Sequence, residues 1–238
     1  MQNMFSIKEM LITGHCRPNK KLSRISAIII HWTANLDPKA GAVANRNYFN
    51  SSPVDKKGKP IYASAHYIVD STCIVQCLPD DEVAFHVGSN KYLKDGLRIM
   101  GDTGSANYVS IGIEMCVNSD GDFNITRTQT IELTHFLANK YNIERINILR
   151  HFDITAKVCP KMMIDNSIWN SFLDEVFMVN QNYSVIASRL NIRKGPGTSF
   201  NTVGSLNRGE IITEVETIGK WTKIAEEQWV CSDYLKRV

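Results

Sequence analysis

The sequence predicts an α/β domain, a mixed central β-sheet flanked by helices, followed by a small all-β domain. Three observations predict it. Apolar, β-branched runs of strand length alternate with helix-period segments over the first three quarters of the 238 residues. From about Tyr183 the style changes to short strands broken by Gly and Asn turns. Between the two, "MVNQNYSVI" (178–186) is polar and interrupts the amphipathic pattern, so the expected domains are 1–178 and 183–238.

The elements follow in order. "ISAIIIHWT" (25–33) has the composition of a buried strand, and alternation puts Ile25, Ala27, Ile29 and His31 on one face. "SAHYIVDSTCIVQCLP" (64–79) reads as a hairpin turning near Asp70–Ser71. "VSIGIEMCV" (109–117) is a central strand with Ile111, Ile113 and Met115 on one side and Gly112 and Glu114 on the other. "TRTQTIELTHFLANKYNI" (126–143) carries Ile131, Leu133, Phe136, Leu137 and Tyr141 at helical spacing, with Thr128 or Thr130 as N-cap. "NSIWNSFLDEVF" (166–177) is a second amphipathic helix after an Asn or Ser cap.

Charged residues at 21% and hydrophobic ones at 43% fit an ordinary soluble chain. The net charge of +3 is too slight to argue for nucleic acid as a partner. No apolar run approaches the ~18 residues of a membrane span, so no membrane insertion is expected. The start, "MQNMFSIKEM", has no signal-peptide pattern, which predicts synthesis in the cytoplasm and a separate route to any work outside it. The six cysteines are scattered, and Cys73 and Cys77 lie too far apart along one strand to bridge. Free buried thiols are expected. The sequence leaves the oligomeric state open.

"ILRHFDITAKVCPKMM" (148–163) holds the chemistry. Catalytic zinc sites use three protein ligands and leave a fourth position for water. His151 and Cys159 are candidates for two of them, and His31, ending the apolar strand, is the best third. Asp153 is placed either to orient a ligand imidazole or to cap a turn.

"IIIHWTAN", "SAHYIVD", "EVAFHVG", "SIGIEMCV" and "RHFDITAKVCP" occur in this order, and together they resemble the zinc-type N-acetylmuramoyl-L-alanine amidases over roughly residues 20–175. That group takes in phage endolysins, bacterial autolysins and the peptidoglycan recognition proteins. The C-terminal "LNIRKGPGTSFNTVGSL" and "WVCSDYL" resemble bacterial SH3 domains, wall-binding modules often attached to such enzymes. The resemblance implies one Zn²⁺ per chain on His31, His151 and Cys159, and peptidoglycan as substrate, cut at the amide between N-acetylmuramic acid and L-alanine. It implies a zinc-activated water, with Glu114 as proton carrier and Lys157 as a cation for the oxyanion. Some relatives carry a tyrosine where this chain has Ala65, so that tyrosine's role does not transfer; either Glu114 carries the proton chemistry, or Tyr67 or a water substitutes.

His86, Trp32 and Tyr67 are candidate substrate contacts, with Gly112 leaving room for substrate. His66, in a strand with Tyr67, reads either as a support behind the site or as structural. In the C-terminal segment Trp221, Trp229 and Tyr234 are groove candidates, but aromatics in so small a barrel are more often core, and Tyr183, Arg193 and Tyr234 are the candidate wall contacts. The simplest whole is an endolysin released at host lysis, with an autolysin as the near variant. A non-catalytic peptidoglycan binder and a stem-peptide endopeptidase are the competing readings. The cysteine ligand favours catalysis over binding alone.

Overall fold

The computed structural model describes residues 6–89, 91–177 and 182–238. Contacts divide these into two units, one ending at Phe177 and the other running from Asn182 to Val238. The predicted boundary at 178–183 falls mostly on residues 178–181, outside the described residues.

The first unit is built on β1 (Ile7–Glu9), β2 (Ala27–Trp32), α1 (Ala42–Asn50), β3 (Tyr67–Val69), β4 (Ile74–Gln76), α2 (Lys94–Met100), β5 (Ser110–Met115), α3 (Phe123–Tyr141), β6 (Ile148–Arg150), α4 (His151–Thr155) and α5 (Asn166–Phe177). Its six strands form one sheet in the order β1-β4-β3-β5-β2-β6. Only β3 and β4 run antiparallel; every other pair is parallel. That mixture fits the predicted class. Strands β2 and β5 are buried along almost their whole length, which explains their near-continuous apolar sequence.

Register sorts the side chains. Ile29 pairs with Gly112 and Leu149, and His31 pairs with Glu114. Two apolar clusters cover this face, one around Ile12, Ala42 and Ile68, the other around Ile29, Val87 and Ile154. Helix α3 packs on β3 and β5, and α5 packs on α3.

Helix α3 begins before the predicted cap. Asp122 is the N-cap, accepting from the backbone N–H groups of Asn124 and Ile125. Thr128 and Thr130 lie inside the helix, their hydroxyls donating to the carbonyls of Asn124 and Thr126. Helix α5 matches its predicted span, but Asp165 caps it, accepting from the N–H groups of Ser167 and Ile168. The six cysteines are free, and all but Cys231 are buried.

The second unit runs β7 (Asn182–Val185), β8 (Arg189–Arg193), β9 (Thr202–Asn207), β10 (Ile211–Thr213), β11 (Glu216–Ile218), β12 (Trp221–Ala225), β13 (Gln228–Cys231) and β14 (Leu235–Arg237). Two antiparallel sheets, β10-β7-β14 and β11-β12-β13-β8-β9, enclose a small core on Val185, Leu190 and Val230. With so little buried apolar surface the unit is near the lower size limit for independent folding. No helix among the described residues is long and apolar enough to cross a membrane.

The turn between β3 and β4 is held by Asp70, which accepts from the N–H groups of Ala42, Thr72 and Cys73 and from the Thr72 hydroxyl. Burial pushes its carboxyl up, yet these bonds outweigh burial and hold it below the usual carboxylate range. Asp70→Ala would strand several buried donors and is expected to cost about 2 kcal/mol in urea unfolding. A carboxyl lowered on folding stabilises above its unfolded value and loses that contribution as pH falls through the folded one. The difference between wild type and variant should therefore be full at pH 7 and shrink toward pH 3.

Candidate metal centre and cleft

Three neighbouring parallel strands end at one edge of the sheet. His31 is in β2, paired with Glu114 of β5, and Ile30 of β2 pairs with Arg150 of β6. The next residue after Arg150 is His151, which opens α4. The parallel register alone therefore delivers Glu114, His31 and His151 side by side at the carboxyl ends of the strands, where open α/β sheets place their ligands. Arg150, itself buried, ties this corner together. Its guanidinium donates to Asp153, to the carbonyls of Met163 and Ile164, and to Asn166 Oδ1. Asp153 thus braces Arg150 and caps α4, which decides between the two roles predicted for it.

The loop after α4 returns Cys159 to the same point. Its carbonyl accepts from the Phe152 N–H, and the backbone N–H of Trp32 points to its sulfur. His31 Nδ1 lies 3.1 Å from His151 Nδ1 and 3.7 Å from Cys159 Sγ. Tetrahedral zinc with Zn–N of about 2.05 Å and Zn–S of about 2.3 Å sets its donors about 3.3 Å (N to N) and about 3.6 Å (N to S) apart. Those two spacings agree within a few tenths of an ångström, and the three donor atoms all lie within 4.8 Å of one another. The donor set fits a divalent metal in type as well as distance, and all three residues are buried.

Protonation points the same way. Burial, helped by the neighbouring histidines, holds His31 well below its ordinary value, and burial with Lys157 nearby lowers His151 to about 4. Both present neutral imidazoles at pH 7. Burial and the charge of Glu114 push the Cys159 thiol up to about 12 against the Trp32 N–H and Lys157. A thiol so held is no free nucleophile; a bound cation would draw off its proton.

Three side-chain atoms are buried without a hydrogen-bond partner among the described residues: Thr33 Oγ1, Glu114 Oε2 and His151 Nε2. All three residues line one cleft of about 400 Å³, together with Cys159, Lys157 and Trp32. Buried polar atoms are nearly always paired, so three orphans around one cleft mark the place where the fold awaits a ligand. A hollow of similar size beside Arg145, Trp169 and Leu173 contains no such atom.

Of the predicted site residues, His151, Cys159, Glu114, Lys157, Trp32 and His86 line this cleft, and His31 lies against His151, Cys159 and His86. His86 also contacts a predicted ligand, with His86 Nδ1 3.0 Å from His31 Nε2. Gly112 leaves room for His86 and not for substrate: a Cβ there would sit 2.6 Å from that ring. Tyr67 is a correction. It precedes Ile68, the partner of Glu114, so alternation turns it to the α3 side. There its hydroxyl donates to Asp80, which also accepts from Lys140 and Tyr141. His66 is structural as expected, bridging the Gly112 N–H and the Glu82 carbonyl.

The cleft also carries residues that the sequence reading missed: Asn45, Tyr48, Tyr62 and Phe85. Tyr48 and Tyr62 are about half exposed, at 48% and 58%. An exposed aromatic in a polar stretch such as "KPIYASA" was the available signal.

In the second unit the three predicted contacts divide. Tyr234 is exposed. Tyr183 bonds through its hydroxyl to Glu214, and Arg193 donates to the carbonyls of Thr198 and Phe200, bracing the loop after β8. Those two are held inside their own unit. Trp229, a groove candidate, is buried instead.

A mixed sheet with a His-His-Cys donor set and a half-buried glutamate at its strand ends makes a candidate metal centre. Residues 21–162 match the N-acetylmuramoyl-L-alanine amidase family, and residues 188–236 match the bacterial SH3 domain family. This chain belongs to the N-acetylmuramoyl-L-alanine amidase family. A probable N-acetylmuramoyl-L-alanine amidase of Bacillus licheniformis is 38% identical over 151 residues, 63% of this chain and 40% of the relative. The N-acetylmuramoyl-L-alanine amidase BlyA of Bacillus subtilis (strain 168) is 31% identical over 233 residues, 93% of this chain and 59% of the relative. The chain thus spans 40% to 59% of the length of these two relatives. The catalytic domain of XlyA superposes with a TM-score of 0.59 at 31% identity, covering 72% of this chain and 99% of that one.

Burial raises the Glu114 carboxyl to about 8, with Lys157 opposing the shift. In metal-free protein the unfolded glutamate ionises first as pH rises, while the folded one keeps its proton until about 8. Folding stability should therefore fall relative to Glu114→Gln as pH rises from 5 to 8, then level off. Chemical unfolding of chelator-treated wild type and variant across that range reads the effect; parallel curves would place Glu114 in contact with water.

Proposed function

We propose that this chain is a zinc-dependent N-acetylmuramoyl-L-alanine amidase that hydrolyses the amide between the lactyl group of N-acetylmuramic acid and L-alanine in peptidoglycan. The observation that carries the reading is the arrangement itself: three candidate metal donors and a glutamate with a buried, unpartnered Oε2 converge where three parallel strands end. His31, His151 and Cys159 would hold one Zn²⁺, which when bound supplies a Lewis acid for the carbonyl and lowers the pKa of water toward ~7.

The chain's own residues do the rest. Glu114, whose free Oε2 faces the cleft, takes a proton from the attacking water and returns it to the departing alanine nitrogen. Oxygen bonds to the lactyl carbon, the C–N bond breaks, and the products are a lactyl carboxylate and a free amine. Lys157 stands exposed at the mouth, where its ammonium meets the charge developing on the carbonyl oxygen. Trp32, with the half-exposed rings of Tyr48 and Tyr62, offers apolar faces to sugar and peptide. Tyr67 has no part in this, being committed to Asp80.

The second unit serves as the wall-binding module, with Tyr234 as its first candidate contact. The whole is best read as a phage endolysin acting on the wall after release by a separate route. Support comes from the pairing of the two matched families and from a solved structural relative, 30% identical, described as a mutant endolysin from Bacillus subtilis.

Product analysis of digested wall tests the reading. Free N-terminal L-alanine on intact glycan is expected; cuts inside the stem peptide would make it an endopeptidase, and no products a binder. Chelation should abolish lysis and zinc restore it. Glu114→Gln should lower turnover by about 10²-fold or more with zinc content unchanged. Removing residues 182–238 should leave a zinc-loaded first unit with weaker wall association in a pelleting assay.

A further inference from the structure

The histidine that sequence reading offers to substrate has another task. Ser110 donates its hydroxyl proton to the Ala106 carbonyl at 2.7 Å, and a carbonyl can only accept. The Ser110 oxygen is then an acceptor for His86 Nε2, 3.3 Å away. A neutral imidazole carries one N–H, so His86 Nδ1 is bare and accepts from His31 Nε2 at 3.0 Å. His31 in turn holds its one proton on Nε2. Its Nδ1 lone pair is left facing His151 and Cys159.

Several features fix the relay. His86 and Ser110 are buried, at 7% and 0% exposure. The Asn107 side-chain oxygen accepts from the backbone N–H groups of His86 and Val87, pinning the loop. Gly112 makes the space: a side chain there would drive into the His86 ring. The other imidazole ligand has nothing comparable, since His151 Nε2 has no partner among the described residues.

We infer that His86 and Ser110 are positioning residues that set the tautomer and ring angle of His31, so that the metal site is preorganised through a serine–histidine–histidine chain ending on the Ala106 carbonyl. Outer partners of ligand imidazoles act in this way, and their loss weakens metal binding by about 10- to 100-fold. The inference rests on the reading of His31 as a metal ligand.

The test uses the full chain. Zinc affinity is measured by competition with a chromophoric chelator for wild type, His86→Ala, Ser110→Ala and Gly112→Ala, beside the melting temperature of each metal-free protein. His86→Ala and Gly112→Ala should each bind zinc about 10- to 100-fold more weakly, and Ser110→Ala less severely. Nitrogen-15 NMR of the zinc-loaded wild type supplies a readout that mere packing would not move: His86 and His31 should both carry their proton on Nε2. Ser110→Ala should let His86 populate the Nδ1–H form. Wild-type zinc affinity in both His86→Ala and Gly112→Ala, or an Nδ1–H His86 in wild type, overturns the relay while leaving the zinc site intact. A wild type that binds no zinc overturns the relay and the metal reading together.

Discussion

The parallel register of β5, β2 and β6 is the constraint on which the site depends. Because His31 lies opposite Glu114, and Ile30 opposite Arg150, three side chains from distant parts of the sequence leave the sheet at the same level. A slip of one residue in either pairing would turn Glu114 toward α3 or carry His151 away from His31. The row just below, Gly112, Ile29 and Leu149, lies on the same face, with Ile29 and Leu149 buried in one apolar cluster. Arg150 completes the corner. A buried guanidinium is costly unless its donors are paired, and here they are paired to the segments that carry His151 forward and lead Cys159 back.

The two faces of the sheet handle buried polarity in opposite ways. On the α3 side, Asp80 accepts from Tyr67, Gln76, Lys140 and Tyr141. The carboxyl is thereby held below its ordinary range although burial pushes it up. Such a network stabilises and leaves nothing for a ligand to do. On the other side Glu114, Thr33 and His151 keep atoms unpaired. That is the pattern of a site in which local stability yields to function.

The difference between the faces explains what was legible in the sequence. β-Branched alternation marks β2 and β5, and alternation alone puts His31 and Glu114 on defined faces; neither step needs tertiary knowledge. His151 and Cys159 stand out because few residue types ligate zinc. Tyr67 misled, since its face follows from the pairing of β3 with β5, which no local pattern reveals. Thr128 and Thr130 look like caps because threonine hydroxyls bond to backbone, but within a helix they bond back to a carbonyl one turn earlier. Helix α1 escaped notice: among its asparagines only Ala42 is buried, so it has almost no apolar stripe to read, and Tyr48 of the cleft went with it. His86 was placed near the chemistry for a related reason. The glycine that seemed to admit substrate admits a histidine, a distinction that exists only once β5 and the loop after β4 are packed together.

Together these features describe a site that holds protons until a cation replaces them. The Cys159 thiol is pushed up to about 12 and the Glu114 carboxyl to about 8, both chiefly by burial. The imidazoles are driven to the neutral form by the same desolvation. Without a positive charge the pocket is therefore nearly uncharged, which lets it stay buried at tolerable cost. His31, His151 and Cys159 would hold a divalent ion at a single point, where its charge would favour the thiolate and an ionised Glu114, the two imidazoles being already free of competing protons. The desolvation that keeps these groups neutral would thus also leave the candidate ligands, and Glu114 as the proposed base, poised for a metal.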